Sequence, residues 1–179
     1  MKIDTAIKEA FLDLKHNNIK TALLDSEILM SKVLKRNRID IILNSNTKLS
    51  GREIAIYNNL IEERSKRKPI AYLTGKKEFW KHEFNVTKDV LIPRPDTEII
   101  IEQTLKLTKN KYGLKILDIG TGSGCILLSI LKEKKSFYGT GIDICKKNLN
   151  ICKINIKKLK LKNKIKLFKS DIDSFNYGK

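Results

Sequence analysis

The sequence predicts an α/β protein, with a helical bundle over residues 1–75 followed by the first part of an incomplete parallel sheet. Three observations carry this. Lys115-Ile116-Leu117-Asp118-Ile119 is short, apolar and β-branched, as a buried strand is, and it runs into Gly120, Gly122 and Gly124. Behind those glycines, Ile126, Leu127, Ile130 and Leu131 have helical spacing, so strand, glycine turn and helix open a nucleotide-type βαβ unit. Phe137 to Ile142 then reads as a second strand, closed by Asp143.

Taken in order, Ile3, Ile7, Phe11 and Leu14 mark a first helix that stops at Asn17-Asn18. In the next, Ala22, Leu23, Leu29, Met30, Val33 and Leu34 fall on one face. Leu24 and Ile28 fall on another, which predicts burial on more than one side. Ser50 followed by Glu53 is a capping-box pattern that opens a third helix, with Ile54, Tyr57, Leu60 and Ile61 as its buried stripe and Pro69 as its stop. His16 reads as a surface residue. Nothing in this part carries chemistry; it reads as a docking or lid module.

From Lys76 to Val90 the pattern changes to alternation around Phe79-Trp80, Phe84 and Val86. Asn85 and Asp89 serve as turn formers, which predicts a hairpin linking two domains with Trp80 plugging their junction. His82 stands alone and is assigned no role. In Leu91-Ile92-Pro93-Arg94-Pro95-Asp96-Thr97-Glu98 two prolines fix an extended segment. Asp96 or Thr97 can cap the following helix, and Glu98 complements its dipole. Arg94 opposes that dipole, so it is a candidate contact for a substrate or partner. Beyond Asp143, Leu149, Cys152, Ile156 and Leu159 space a helix, and Ile165 to Phe168 a third strand ending at Ser170-Asp171-Ile172.

The net charge is +17, from 37 Lys and Arg against 20 Asp and Glu. A basic chain suggests nucleic acid, but 31 of those cations are Lys and only 6 are Arg, beside 26 Ile and 14 Asn. A/T-rich codons favour that set, and Arg is the better reader of phosphates and bases, so direct nucleic-acid binding is not expected. The ten lysines between Lys146 and Lys169, without one acid, read as a solvated face; a surface attracted to the ribosome or to acidic protein is the alternative. Cys125, Cys145 and Cys152 are odd in number with no C-x-x-C spacing, which fits a reducing compartment and no metal site. Neither a signal pattern nor a membrane-length apolar run is present, so the expected location is cytoplasmic.

Glycines at alternate positions permit positive φ and a close approach of ligand to backbone, with N–H groups at the helix start facing it. An acid at the tip of the second strand can accept both hydroxyls of an adenosine ribose. The spacing is G-x-G-x-G, not the G-x-G-x-x-G of dinucleotide enzymes. With Asp118 in front, it resembles the first motif of S-adenosyl-methionine-dependent methyltransferases. A dehydrogenase reading is weak, because nothing after Asp143 supplies hydride chemistry.

Ile92-Pro93-Arg94-Pro95-Asp96-Thr97-Glu98 together with Asp118-Ile119-Gly120-Thr121-Gly122-Ser123-Gly124 resembles the protein N5-glutamine methyltransferases that modify peptide chain release factors. Pro69-Ile70-Ala71-Tyr72-Leu73-Thr74-Gly75, Phe79 and Leu24-Asp25-Ser26-Glu27-Ile28-Leu29 extend the likeness over the chain. The resemblance implies a helical substrate-recognition domain (1–75), a β-hairpin linker (76–90) and part of a Rossmann-like class I methyltransferase domain (91–179). It implies methyl transfer from S-adenosyl-methionine to the Gln side-chain amide of a Gly-Gly-Gln motif in release factors, in a protein that is monomeric when complete. Gly120, Thr121, Gly122, Ser123, Gly124 and Asp143 would bind the donor, Asp171 and Ile172 would flank its adenine, and Leu91 would lie near its methyl. Leu91, Pro93 and Arg94 make the expected substrate side.

In that family an Asn-Pro-Pro-Tyr segment orients the target amide, and no such segment occurs in these 179 residues. The expectation is therefore a chain truncated before its catalytic residues, with an unpaired apolar edge on Lys115–Ile119 and no turnover as given. Alternatives are a fragment of a ribosomal-protein or nucleic-acid N-methyltransferase, or a binding module for the methyl donor or release factor without turnover.

Overall fold

The computed structural model describes residues 1–177. Gly178 and Lys179, the end of the expected 91–179 domain, lie outside the described residues. The chain divides between Thr74 and Gly75 into two units.

The first unit is helical: α1 (Ile3–His16), α2 (Ala22–Leu34), α3 (Arg38–Leu43), α4 (Gly51–Ser65) and α5 (Ile70–Thr74). Ile3, Leu14, Leu29, Met30, Ile41 and Tyr57 form its centre. The Ser50–Glu53 capping box forms as expected: the Ser50 side chain accepts from Glu53 N, and Glu53 Oε2 accepts from Ser50 N at 2.7 Å. Two short helices, α3 and α5, were not expected. α4 ends at Ser65, and Pro69 starts α5 instead of merely stopping α4, because its carbonyl accepts the N–H groups of Tyr72 and Leu73.

The buried face of α2 also departs from its apolar pattern. Leu23 is 51% exposed, whereas Asp25 is 3% exposed. Arg64 of α4 donates to Asp25 Oδ2 at 2.8 Å, Thr21 Oγ1 donates to the same oxygen at 2.8 Å, and Arg38 donates to Glu27 at 2.6 Å. Paired and hydrogen-bonded, these carboxylates can lie where leucines were expected.

The second unit begins with a hairpin of β1 (Lys76–Phe79) and β2 (His82–Asn85). Phe79 pairs with His82, so the hairpin turns at Trp80-Lys81, where Trp80 takes φ +54°, and not at Asn85; Asp89 lies in a separate turn after the hairpin, where Val90 N donates to Thr87 O at 3.1 Å. Trp80 Nε1 donates to Glu133 Oε1 at 2.8 Å, and Trp80 N to Glu98 Oε1 at 2.6 Å. That occupies Glu98. A 3-10 turn over Pro95–Thr97 then leads directly into α6 (Glu98–Leu107), and neither Asp96 nor Thr97 makes a side-chain cap.

The remaining elements are β3 (Lys115–Ile119), α7 (Cys125–Glu133), β4 (Tyr138–Asp143), α8 (Lys146–Lys158) and β5 (Ile165–Lys169). They make a parallel sheet in the order β3-β4-β5, with Ile119 level with Ile142, and Ile142 with Phe168. Parallel strands need crossovers, and α7 and α8 supply them, packing against β4. Leu127, Leu128, Leu131, Phe137 and Cys152 are buried beneath them. On the other side of the strands Leu117, Ile119, Tyr138 and Phe168 remain exposed, and β3 is a sheet edge among the described residues.

Candidate functional site

The tips of β3 and β4 meet because parallel register brings Ile119 beside Ile142. The N–H groups of Gly120 and Thr121 both donate to the Ile142 carbonyl, at 2.9 and 3.0 Å. Gly124 N donates to Thr121 O at 2.7 Å. The loop is thus tied by its own backbone to the strand next door.

Gly122 and Gly124 are needed as glycines for different reasons. Gly122 has φ +54°, and a Cβ there would meet nothing nearer than the Gly120 carbonyl at 3.8 Å, so its surface is open for a ligand. Gly124 has φ +81° and packs inward, where a Cβ would lie 2.7 Å from Cys152 Sγ and 3.0 Å from Leu128 Cδ1. One glycine gives access; the other lets α7 start flat against α8.

Asp143 ends β4 only 6% exposed. Its Oδ2 accepts the Gly122 N–H at 3.0 Å, and its Oδ1 accepts the Cys145 N–H at 2.8 Å. Asn148 Nδ2, on the first turn of α8, lies 3.2 Å from both oxygens. The structure therefore brings the expected loop and the expected acid into hydrogen-bond contact.

Asp118 stands beneath the loop, with its Oδ2 accepting the Thr121 hydroxyl at 2.7 Å. Burial pushes its carboxyl above the ordinary range; the Thr121 hydroxyl offsets part of this, and the charge of Asp143 adds to it. Burial likewise pushes the Cys125 thiol up to about 11 and that of Cys152 up to about 12. Neither is a thiolate nucleophile near neutral pH.

The other expected residues fall as follows. Thr121 and Ser123 are buried within the loop. Ser170 N donates to the Asp143 carbonyl at 3.2 Å, which fixes the chain just before Asp171. Asp171 Oδ1 accepts the Ser174 N–H at 2.7 Å, and this bond holds its carboxyl below the ordinary range. Ile172 is exposed. Leu91 and Arg94 are exposed too, while Pro93 between them is buried. Among the described residues no cluster of three or more His, Cys, Asp or Glu could hold a metal, and no helix is long and apolar enough to cross a membrane.

Two residues were missed by sequence reasoning. Asn155 is fully buried; its amide donates to Ser123 O and Asn85 O at 2.9 and 3.0 Å and accepts from Asn85 N at 2.7 Å. Asn148 is the other. Asn148, Cys152 and Asn155 stand at i, i+4 and i+7, one stripe of α8, and that spacing was the available signal.

Comparisons with known proteins give the following likenesses. Residues 5–75 match the PrmC N-terminal domain, and residues 110–178 match a methyltransferase domain. The release factor glutamine methyltransferase of Buchnera aphidicola subsp. Baizongia pistaciae is 44% identical over 91% of this chain and 58% of its own length. That of Clostridium acetobutylicum is 39% identical over 96% of this chain and 60% of its own, and that of Caulobacter vibrioides 33% identical over 96% and 58%. The chain thus spans about three fifths of the length of these curated relatives. Among solved structures, the N-terminal domain of human METTL16 in complex with SAH has a TM-score of 0.46 at 17% identity, over 84% of this chain and 60% of that one.

Proposed function

We infer, for a chain homologous to the release factor glutamine methyltransferases over 91% of its length, that the unit from Gly75 onward is the methyl-donor-binding part of such an enzyme. The observation that carries this is the Gly122 N–H donated to Asp143 Oδ2 at 3.0 Å, which joins the glycine loop and the acid in one cradle.

S-adenosyl-methionine, when bound, supplies an electrophilic methyl group on its sulfonium. The residues fit it. Gly120–Gly124 offer a backbone surface free of Cβ atoms at Gly122, and Asp143 offers a carboxylate to the two ribose hydroxyls. Asp171 and Ile172 follow the strand next to Asp143, on the adenine side, where Ile172 presents an apolar face. Leu91, Pro93 and Arg94 serve the substrate side: Pro93 anchors the segment by burial and leaves Arg94 outward. The substrate is the Gln side-chain amide of a Gly-Gly-Gln motif in a peptide chain release factor. An amide nitrogen is a poor nucleophile, so alignment of the target supplies much of the rate.

The domain roles follow: residues 1–75 recognise the release factor, 76–90 form the hairpin linker, and 91–179 hold the donor. The test has two arms, read by titration calorimetry. Gly122→Val should abolish binding of S-adenosyl-homocysteine, because φ +54° disfavours a branched residue and its methyls would fill the open surface. Arg94→Ala should leave that affinity unchanged and weaken binding of a release factor. Gly122→Val binding as tightly as the parent refutes the donor site; an Arg94→Ala loss confined to the donor refutes its assignment to the substrate.

A further inference from the structure

The Asp143 carboxylate accepts three internal donors, and they are not alike. Gly122 N and Cys145 N are backbone groups at 3.0 and 2.8 Å, fixed by the loop and by the start of α8. Asn148 is a side chain. Its Nδ2 stands 3.2 Å from Oδ1 and 3.2 Å from Oδ2, so it lies on the plane that bisects the carboxylate. Charge-assisted N–H···O bonds usually measure about 2.7–2.9 Å, so both of these are long. The other end of the same amide is worse placed: Asn148 Oδ1 is buried and has no hydrogen-bond partner among the described residues. A buried acceptor without a partner carries a desolvation cost that solvent would relieve.

Asn148 is therefore held weakly, by one end, in front of the acid. A cis-diol binds a carboxylate with one hydroxyl to each oxygen, straddling that same bisecting plane. The two backbone donors can stay while a diol docks. Asn148 cannot keep both of its contacts, and turning it outward would give its Oδ1 access to water.

We propose that Asn148 is a placeholder for the ribose diol: it shields Asp143 until a ligand with vicinal hydroxyls displaces it. This rests on the reading of Asp143 as the ribose acceptor. The exchange lowers the affinity for ligands that carry the diol and leaves ligands without it unaffected. Asn148 thus sets how strongly the site prefers a ribose.

The test is titration calorimetry on the whole chain with S-adenosyl-homocysteine and its 2′,3′-dideoxy analogue. The proteins are the parent, Asn148→Ala and Asn148→Ser, each first shown to melt like the parent. Both substitutions should tighten S-adenosyl-homocysteine by roughly threefold to tenfold, the worth of about one modest hydrogen bond. The analogue's affinity should stay within about twofold, so preference for the diol grows by the same factor. Weaker or unchanged binding of S-adenosyl-homocysteine, or an equal shift for both ligands, makes Asn148 a mere support and overturns the proposal. Failure of the parent to bind S-adenosyl-homocysteine overturns the donor-site reading itself, and this inference with it.

Discussion

Asn155 donates its side-chain amide to the carbonyl of Ser123 at 2.9 Å, joining the third turn of α8 to the glycine loop across 32 residues of chain. The same amide clamps both backbone groups of Asn85 at the end of the hairpin. One buried side chain therefore holds three elements in register at the site.

Asn155→Ala should be among the most damaging substitutions in the second unit. It leaves the buried Ser123 carbonyl and two part-buried backbone groups of Asn85 without their Asn155 partner, at about 1–3 kcal/mol each. A loss of about 3 kcal/mol or more is expected in urea unfolding followed by circular dichroism. A midpoint unchanged from the parent would show that water replaces all three bonds.

In the first unit, Arg64→Leu should cost about 3–5 kcal/mol, because it removes the cation paired with the buried Asp25 side chain and leaves it the Thr21 hydroxyl as a partner. Asp25→Leu with Arg64→Leu should recover most of that loss, since an apolar pair no longer needs a counter-charge. Urea titrations of the two variants test this directly. A double variant as unstable as the single one would mean that shape, not charge, is what fails.

Asp118 gives a pH signature. Its folded-state pKa lies above the ordinary 3.8, so between 3.8 and that raised value the folded chain binds more protons than the unfolded one. Stability attributable to this group falls as pH rises through that window and stays lowered above it. Asp118→Asn keeps an acceptor for the Thr121 hydroxyl and removes the buried charge. The variant should melt at a higher temperature than the parent at pH 7, with the gap narrowing toward pH 4. A gap that is absent at pH 7, or that widens on acidification, contradicts the assignment.

Much of the second unit was legible in the sequence because local and tertiary signals agree there. The alternate glycines after Ile119, the stripe Ile126, Leu127, Ile130 and Leu131, and the strand closing on Asp143 all specify one βαβ unit. Polar burial was not legible. The ion-pair partner that lets Asp25 point inward is 39 residues away, and that of Glu27 is 11 away, so hydrophobic spacing alone turned Leu23 inward. The hairpin turn was hidden because Trp80-Lys81 contains no turn-forming residue; bonds from Trp80 to Glu98 and Glu133 hold it. Asn148 and Asn155 went unnoticed because their partners, Asp143 and Ser123, lie on other elements.

In the proposed function the glycine loop and Asp143 form a methyl-donor cradle. Titration of S-adenosyl-homocysteine into the parent and into Asp143→Ala tests it most directly. The parent should bind, and the variant should lose roughly a hundredfold or more, since two charge-assisted hydrogen bonds are worth about 1.5–3 kcal/mol each. Equal affinity in both proteins, with both folded, would rule out Asp143 as the ribose acceptor.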